Sequence, residues 1–308
     1  MFRLGGAALG VTLLSVAVVT GMRGATPPAR AASGPVVLFH SAHGSSYIPA
    51  LSGARPMFVL ALGSDARPPT PIERSRSDSI HIIGIDLKNH RASVLGFPRD
   101  SWVDIPGHGM GKINTAMWMG GPQLIVATLE NLTGITIDFW LLTNFSAFMR
   151  MVNDIGGLTV DIPIPLDDHD SGAHLPAGTR HVNGKDALAF ARDRHDFPLG
   201  DISRSKNQGS ILLAALSKLQ TSFVKDPSVL FDWILIGWRR ATLDTDLSVH
   251  TLLDLALTAT QIPARSVNNL VVPSTTGTIG VASVVFISSS ARSIYADMRN
   301  DGYVSSAP

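Results

Sequence analysis

Hydrophobic positions follow three rhythms along this chain. Residues 4–22, LGGAALGVTLLSVAVVTGM, are apolar throughout and lie between Arg3 and Arg23, close to the roughly 20 residues that a membrane-crossing helix requires. Short, partly β-branched runs recur downstream: MFVLALG (57–63), SIHIIGIDL (79–87), ASVLGF (92–97), ITIDFWLL (135–142) and LTVDIPIP (158–165). Turn residues bound them, the pattern of strands in a buried sheet. Elsewhere the period lengthens to that of helices. GGPQLIVATLENLTG (120–134) suits Pro122 in a first turn and stops at Gly134. NFSAFMRMVNDIGG (144–157) puts Phe145, Phe148, Met149 and Val152 at helical spacing before Gly156 and Gly157.

The pattern continues with a short helix at 183–191 and a long one at 201–220, with Asp201 as its N-cap. Helices near 227–240 and 247–260, a strand pair near 268–273 and 279–287, and a last helix near 289–300 complete the series. Strands alternating with helices predict an α/β domain whose helices cover the sheet. Residues 23–55, rich in Gly, Ala, Ser and Pro, read as a tether, so order is expected from Pro56 and one domain over 56–303. Residues 1–22 are read as a membrane anchor. Cleavage as a signal at ARAAS (29–33) is the rival, but the run exceeds the roughly 7–15 residues of a signal core. Either reading exports the rest of the chain, and the flanking Arg3 and Arg23 orient it only weakly.

Composition narrows the function. With 45% hydrophobic residues, 16% charged residues and a net charge of +1, the chain can bury a sizeable core and lacks the basic excess of a nucleic-acid binder. Cysteine is absent, which excludes disulfides, thiolate zinc sites and a cysteine nucleophile. GHGMGK (107–112) fails the P-loop template because Ile113 follows Lys112, and it fails the dinucleotide template because Lys112 stands where Gly is needed. It reads as a Gly-rich turn. No HExxH or GxSxG occurs, so zinc-protease and serine-hydrolase chemistry have no support.

Charge concentrates instead in ARDRHDFPLGDISRSKNQ (191–208). In an extended segment Arg192 and Arg194 would point to one side. Arg204 and Gln208, four apart near a helix start, share a face where free N–H groups already favour an anion. Three arginines beside that dipole suit phosphate oxygens. The competing reading is surface pairing with Asp193, Asp196 and Asp201, worth only about 0–1 kcal/mol per pair. The first half of the chain adds to the phosphate reading. Asp65 ends one strand, Asp78 precedes the next, Arg99 follows a third and Lys112 comes soon after. Strand ends are where α/β sheets place ligands, and two carboxylates converging there suit Mg²⁺.

The series LGSD, RSDSI, FPRDS, KINTA, GG at 120–121, IDFWLLTNFSAF, IGGLTVDIP, NGKDALAFARDR and GDISRSKNQ resembles the LytR-CpsA-Psr family of bacterial cell-envelope enzymes over about residues 56–220. The resemblance implies a single α/β/α domain with a central mixed sheet, preceded by an N-terminal transmembrane helix and held outside the cytoplasm. It implies transfer of a glycan phosphate from a polyprenyl-pyrophosphate carrier to a peptidoglycan hydroxyl, with Mg²⁺ as cofactor. By the same resemblance Arg99, Lys112, Arg192, Arg194, Arg204 and Gln208 hold the pyrophosphate, and Asp65 and Asp78 hold the metal. It also implies a lipid tunnel, for which Trp118, Phe145, Phe148, Met149, Val152, Leu212 and Leu216 are the expected lining. Two small departures, Phe190-Ala191 before the arginine pair and Ser203 before Arg204, leave the charged positions intact.

Asp100 and Asp201 are alternative general bases for the acceptor. Hydrolysis of the same donor and non-catalytic lipid binding are the rival functions, the latter disfavoured by the paired aspartates. The donor glycan stays open among teichoic acid, capsule and arabinogalactan. In the loop LDDHDSGAHLPAGTR (166–180), His169, His174 and the neighbouring carboxylates read as solvated polar groups rather than a second metal site.

Overall fold

The computed structural model describes residues 36–305 apart from 45–47, 68 and 241. The expected membrane segment at 4–22 therefore lies outside the described residues. Among those described, no helix is long and apolar enough to cross a membrane.

Seven strands form the central sheet: β1 (Val36–Ser41), β2 (Met57–Ser64), β3 (Ser77–Asp86), β4 (Arg91–Gly96), β5 (Phe139–Asn144), β6 (Thr242–Thr245) and β7 (Val267–Val271). Their order is β6-β1-β5-β2-β3-β4-β7. The pairs β6/β1, β5/β2 and β4/β7 are parallel and the others antiparallel, so the sheet is mixed. Besides the single turn Ile48–Leu51, the α-helices among the described residues are α1 (Thr115–Thr133), α2 (Phe145–Asp154), α3 (Gly184–Arg192), α4 (Asp201–Lys225), α5 (Val229–Arg240), α6 (Val249–Gln261) and α7 (Ala291–Asp301).

Alternation along the strands divides the core. Phe58, Leu60 and Leu62 of β2 and Ile80 and Ile82 of β3 pack with Ile125 and Leu129 of α1 and Ile294 and Met298 of α7. The opposite face meets α4, where Val94 of β4 and Ile83 of β3 pack with Leu212 and Leu216. Buried His81 pins the two layers together. A carbonyl can only accept, so Nε2–H of His81 donates to the Ser205 carbonyl of α4 at 3.0 Å, and Nδ1 accepts from Ser79 Oγ at 3.1 Å. Burial holds this imidazole down to about 4, hence neutral.

Several boundaries differ from expectation. Order does not begin at Pro56. The VVLFHS run at 36–41, inside the expected tether, is a central strand between β6 and β5, because its apolar residues meet partners remote in sequence. Arg55 closes the segment by forking onto buried Asp138 at 2.5 and 3.1 Å. Helix α1 starts five residues before Gly120 and is broken at Gly121, whose φ of 74° only glycine adopts freely. Pro122 therefore restarts a helix rather than starting one. Residues 267–271 do not pair with 279–287 but join β4, while Ser274–Ile279 pairs with Ala282–Ile287. Strand Leu158–Ile162 leaves the central sheet to pair with Gly178–Val182.

Helices α2 and α3 approach backbone to backbone at Gly184. Its N–H donates to Asn153 Oδ1 at 2.7 Å, and a Cβ there would run into the Met149 carbonyl group. Gly184→Ala is expected to cost about 1–3 kcal/mol, measured as a lower urea midpoint. An unchanged midpoint would refute this packing.

Candidate functional site

The site is built where β2 and β3 fall out of step. Gly63 pairs with Ser79 and Ser64 with Ser77, leaving Asp78 as the extra residue of a bulge. Adjacent residues of a regular strand face opposite sides, yet Asp78 and Ser79 both line the same cavity; the bulge re-aims the carboxylate. Asp78 is buried and ion-paired with Arg99, which lies in the connection after β4. Its carbonyl accepts from Gln208 Nε2 of α4 at 3.1 Å. Arg204, one turn before Gln208, is 5% exposed and pairs with Asp201 at 2.9 Å.

Electrostatics ties the remaining candidates to this core. Burial and then the charge of Asp78 raise the proton affinity of Asp65, against the pull of Arg99 and Arg76. Burial lowers the Arg204 guanidinium's proton affinity, Asp201 opposes that, and Arg99 and Arg194 add to it. Burial also works against the charge on Arg99, but Asp78 and Asp201 outweigh it and hold the group above its ordinary value. Lys112 reaches Asp100 at 3.3 Å. Asp65, Asp78, Arg99, Lys112, Arg194, Arg204 and Gln208 thus belong to one neighbourhood, drawn from positions far apart in the chain.

Arg192 and Arg194 part company, contrary to the extended spacing expected. Arg192 closes helix α3, and its guanidinium lies 5.0 Å from the centre of the Phe145 ring. It lines a cavity of about 120 Å³ with Asp78, Phe145, Phe148, Gln208 and Leu212. Arg194, past the helix end, lines a polar cavity of about 290 Å³ with Asp100, His195, Asp201, Thr276 and Ser283. Leu212 also lines a second apolar cavity of about 210 Å³, which Leu216, Ile83 and Val94 help to form between the sheet and α4 and α6.

The expected lipid lining divides accordingly. Phe145, Phe148, Leu212 and Leu216 border these apolar cavities. Trp118, Met149 and Val152 do not. Trp118 is 59% exposed on α1, across the sheet. Val152 packs in the core shared by α2, α3 and α4, and Met149 backs onto Gly184. Helical spacing gave Met149 and Val152 a shared element but not which neighbour each would meet. Asp201 is likewise not the N-cap expected: Gly200 holds that position and Asp201 is the first helical residue, its carboxylate taken by Arg204. Of the three acids that the competing reading paired with arginines on the surface, Asp193 is fully buried and pushed up to about 6 by burial and by its acidic neighbour Asp196.

Sequence reasoning missed Ser79, His81 and Asn114. Asn114 is 3% exposed, with its Oδ1 lacking a hydrogen-bond partner beside the Arg99 connection. The half-buried pair Asp100 and Asp201 was legible only as two separate acids. Burial first, then hydrogen bonding and repulsion from Asp201, raise the Asp100 carboxyl above its ordinary value, although Lys112 and Arg99 pull it down. The unfolded chain therefore loses this proton at lower pH than the folded chain, and stability falls as pH rises above the ordinary carboxyl value. Asp100→Asn, which cannot ionise, is expected to gain stability over the unsubstituted protein between about pH 4 and pH 7. Urea midpoints at both pH values check this; a pH-independent difference would sink it.

Comparisons with known proteins bear on the family and the fold. The LytR_cpsA_psr family pattern matches residues 40–299. The chain is 34% identical over 169 residues to the Bacillus anthracis polyisoprenyl-teichoic acid–peptidoglycan teichoic acid transferase TagU, covering 54% of each chain. It thus spans about half the length of the curated relatives it matches. The crystal structure of B. subtilis TagV superimposes with a TM-score of 0.68 at 25% identity, over 82% of this chain and 99% of that one. TagT bound to LIIa-WTA gives 0.66 at 26% identity, over 81% and 91%.

Proposed function

Because the chain belongs to the LytR-CpsA-Psr family, we propose that it transfers a glycan phosphate from a polyprenyl-pyrophosphate carrier to a peptidoglycan hydroxyl. The observation that carries this reading is the meeting of Asp78, Arg192 and Gln208 in the lining of an otherwise apolar cavity, with Arg99 paired to Asp78 and Arg204 close to both. A diphosphate attached to a prenyl tail has this same division. TagU, the curated relative, is named for moving teichoic acid from a polyisoprenyl carrier.

In this reading the tail occupies the apolar cavities on either side of Leu212. The pyrophosphate oxygens face Arg99, Arg192, Arg194 and Arg204, with Lys112 at the edge. The acceptor oxygen forms a bond to the glycan-bearing phosphorus. The bond from that phosphorus to the bridging oxygen breaks, and polyprenyl phosphate leaves with the electron pair. Guanidinium groups fixed beforehand stabilise this charge without reorganising, which is where enzymes gain most on phosphoryl transfer. Asp100, facing the polar cavity beside Arg194 with a raised proton affinity, takes the acceptor's proton.

Asp65 and Asp78 fit a magnesium ion: burial and then the neighbouring Asp78 charge raise the proton affinity of Asp65, and hard oxygen donors are what Mg²⁺ prefers. When bound there, Mg²⁺ would neutralise phosphate charge. The acceptor puts the reaction outside the cytoplasm, and the apolar segment at 4–22 would serve as the anchor.

Arg99→Ala and Arg192→Ala are each expected to lower kcat/KM for transfer by about 10²–10³-fold, with circular dichroism unchanged. Mass spectrometry of products, with and without peptidoglycan fragments, is the measurement. Unaltered transfer in both variants would remove the assigned roles; equal release of sugar phosphate without acceptor would make the enzyme a hydrolase.

A further inference from the structure

A second group of ionisable side chains lies on the far side of Arg194. Asp168 ends a short strand, Leu166–Asp168, and its side chain is 4% exposed. Its Oδ1 accepts from the Asp170 N–H at 2.9 Å and lies 3.0 Å from His195 Nδ1. Its Oδ2 is buried and has no hydrogen-bond partner. Asp170 Oδ2 lies 3.8 Å from the same imidazole nitrogen. One ligand atom from each of Asp168, Asp170 and His195 lies within 4.8 Å of the other two.

The loop behind this group is built to hold it. Asp193 is fully buried; its Oδ1 accepts from the His195 N–H at 3.1 Å and the Asp196 N–H at 3.4 Å, while its Oδ2 has no partner. Asp196 in turn accepts from the Asp167 N–H at 2.7 Å. The Asp168 carboxylate, buried with one oxygen unpartnered beside a half-exposed imidazole, leaves negative charge unbalanced in a place water reaches poorly. Surface ion pairing does not account for that arrangement.

We propose that Asp168, Asp170 and His195 form a binding site for a divalent transition-metal cation of the Mn²⁺ or Zn²⁺ kind. An imidazole nitrogen with carboxylate oxygens suits such ions better than Mg²⁺, which keeps to oxygen ligands. Metal–ligand bonds of about 2.0–2.2 Å put neighbouring donor atoms about 3–4 Å apart, so small side-chain movements close the site. Asp193 orients the loop that presents His195, as outer groups do for metal-bound histidines. The exposed His169 and His174 of the 166–180 loop take no part; the ligating imidazole comes from beyond α3. The cation would clamp the hairpin of Leu166–Asp168 and Ala173–Leu175 to the connection carrying Arg194. Its role is thus to position that arginine, and its existence does not depend on the reaction proposed above.

The full-length protein carrying Asp65→Asn, which weakens the carboxylate pair proposed for magnesium, is stripped with EDTA in detergent and titrated with MnCl₂. Free Mn²⁺ is read by electron paramagnetic resonance. One equivalent is expected to bind, and adding His195→Ala or Asp170→Asn is expected to weaken that binding at least about tenfold. Both side chains are substantially exposed, so these variants fold even where Asp168→Asn does not. ZnCl₂ is expected to displace the bound Mn²⁺. Absence of binding in the Asp65→Asn protein, or binding indifferent to both added substitutions, would overturn the site.

Discussion

Arg99 and Asp78 hold each other out of water, and the arrangement of the site depends on that pair. Asp78 can sit there because a bulge turns it toward the cavity, and its carbonyl is held by Gln208 from the long helix. Arg99 can stay charged because Asp78 and Asp201 outweigh the cost of its burial. Removing one partner of a buried pair leaves the other charge uncompensated, which costs far more than an exposed pair contributes. Three elements that share no local sequence, β3, the connection after β4 and the start of α4, are thereby locked in one relative position. A ligand with two phosphate groups meets charges that are already in place.

The same principle explains why acids outnumber what a purely anionic ligand would seem to need. Arg204 has Asp201, Lys112 has Asp100, and Asp100 and Asp201 contact one another. Each of these two cations is kept in position by a carboxylate that leaves donors free, since a guanidinium offers five N–H groups and an ammonium three. Arg192 is the exception in kind: it rests against the face of Phe145, where the ring's quadrupole orients it without competing for its hydrogen bonds. That places it at the boundary between apolar and polar space.

Much of this was legible in the chain, for identifiable reasons. The runs at 57–63, 79–87 and 92–97 are apolar because both faces of the sheet are covered, and they became β2, β3 and β4 nearly as delimited. The charged positions were legible because few residue types serve phosphate and metal chemistry. What stayed hidden depends on partners remote in sequence. No local signal marks the bulge at Asp78, since the apolar run begins at Ser79 and Asp78 reads as a residue ahead of the strand. The run at 36–41 looked like part of a tether because a short strand shows its identity only through its neighbours. Trp118 and Val152 were expected in a tunnel through the family resemblance, which does not say what each side chain meets, and the structure turns one to solvent and the other into a separate core.

Both edges of the central sheet come from the last third of the chain: β6 borders β1, and β7 borders β4. Until those segments have been made, the earlier strands present open hydrogen-bonding edges, which invite mispairing with other chains. Contacts of such long sequence separation also form slowly. The sheet therefore reaches completion as a late, all-or-none event. Truncation ahead of Thr242 would open both edges of the sheet at once.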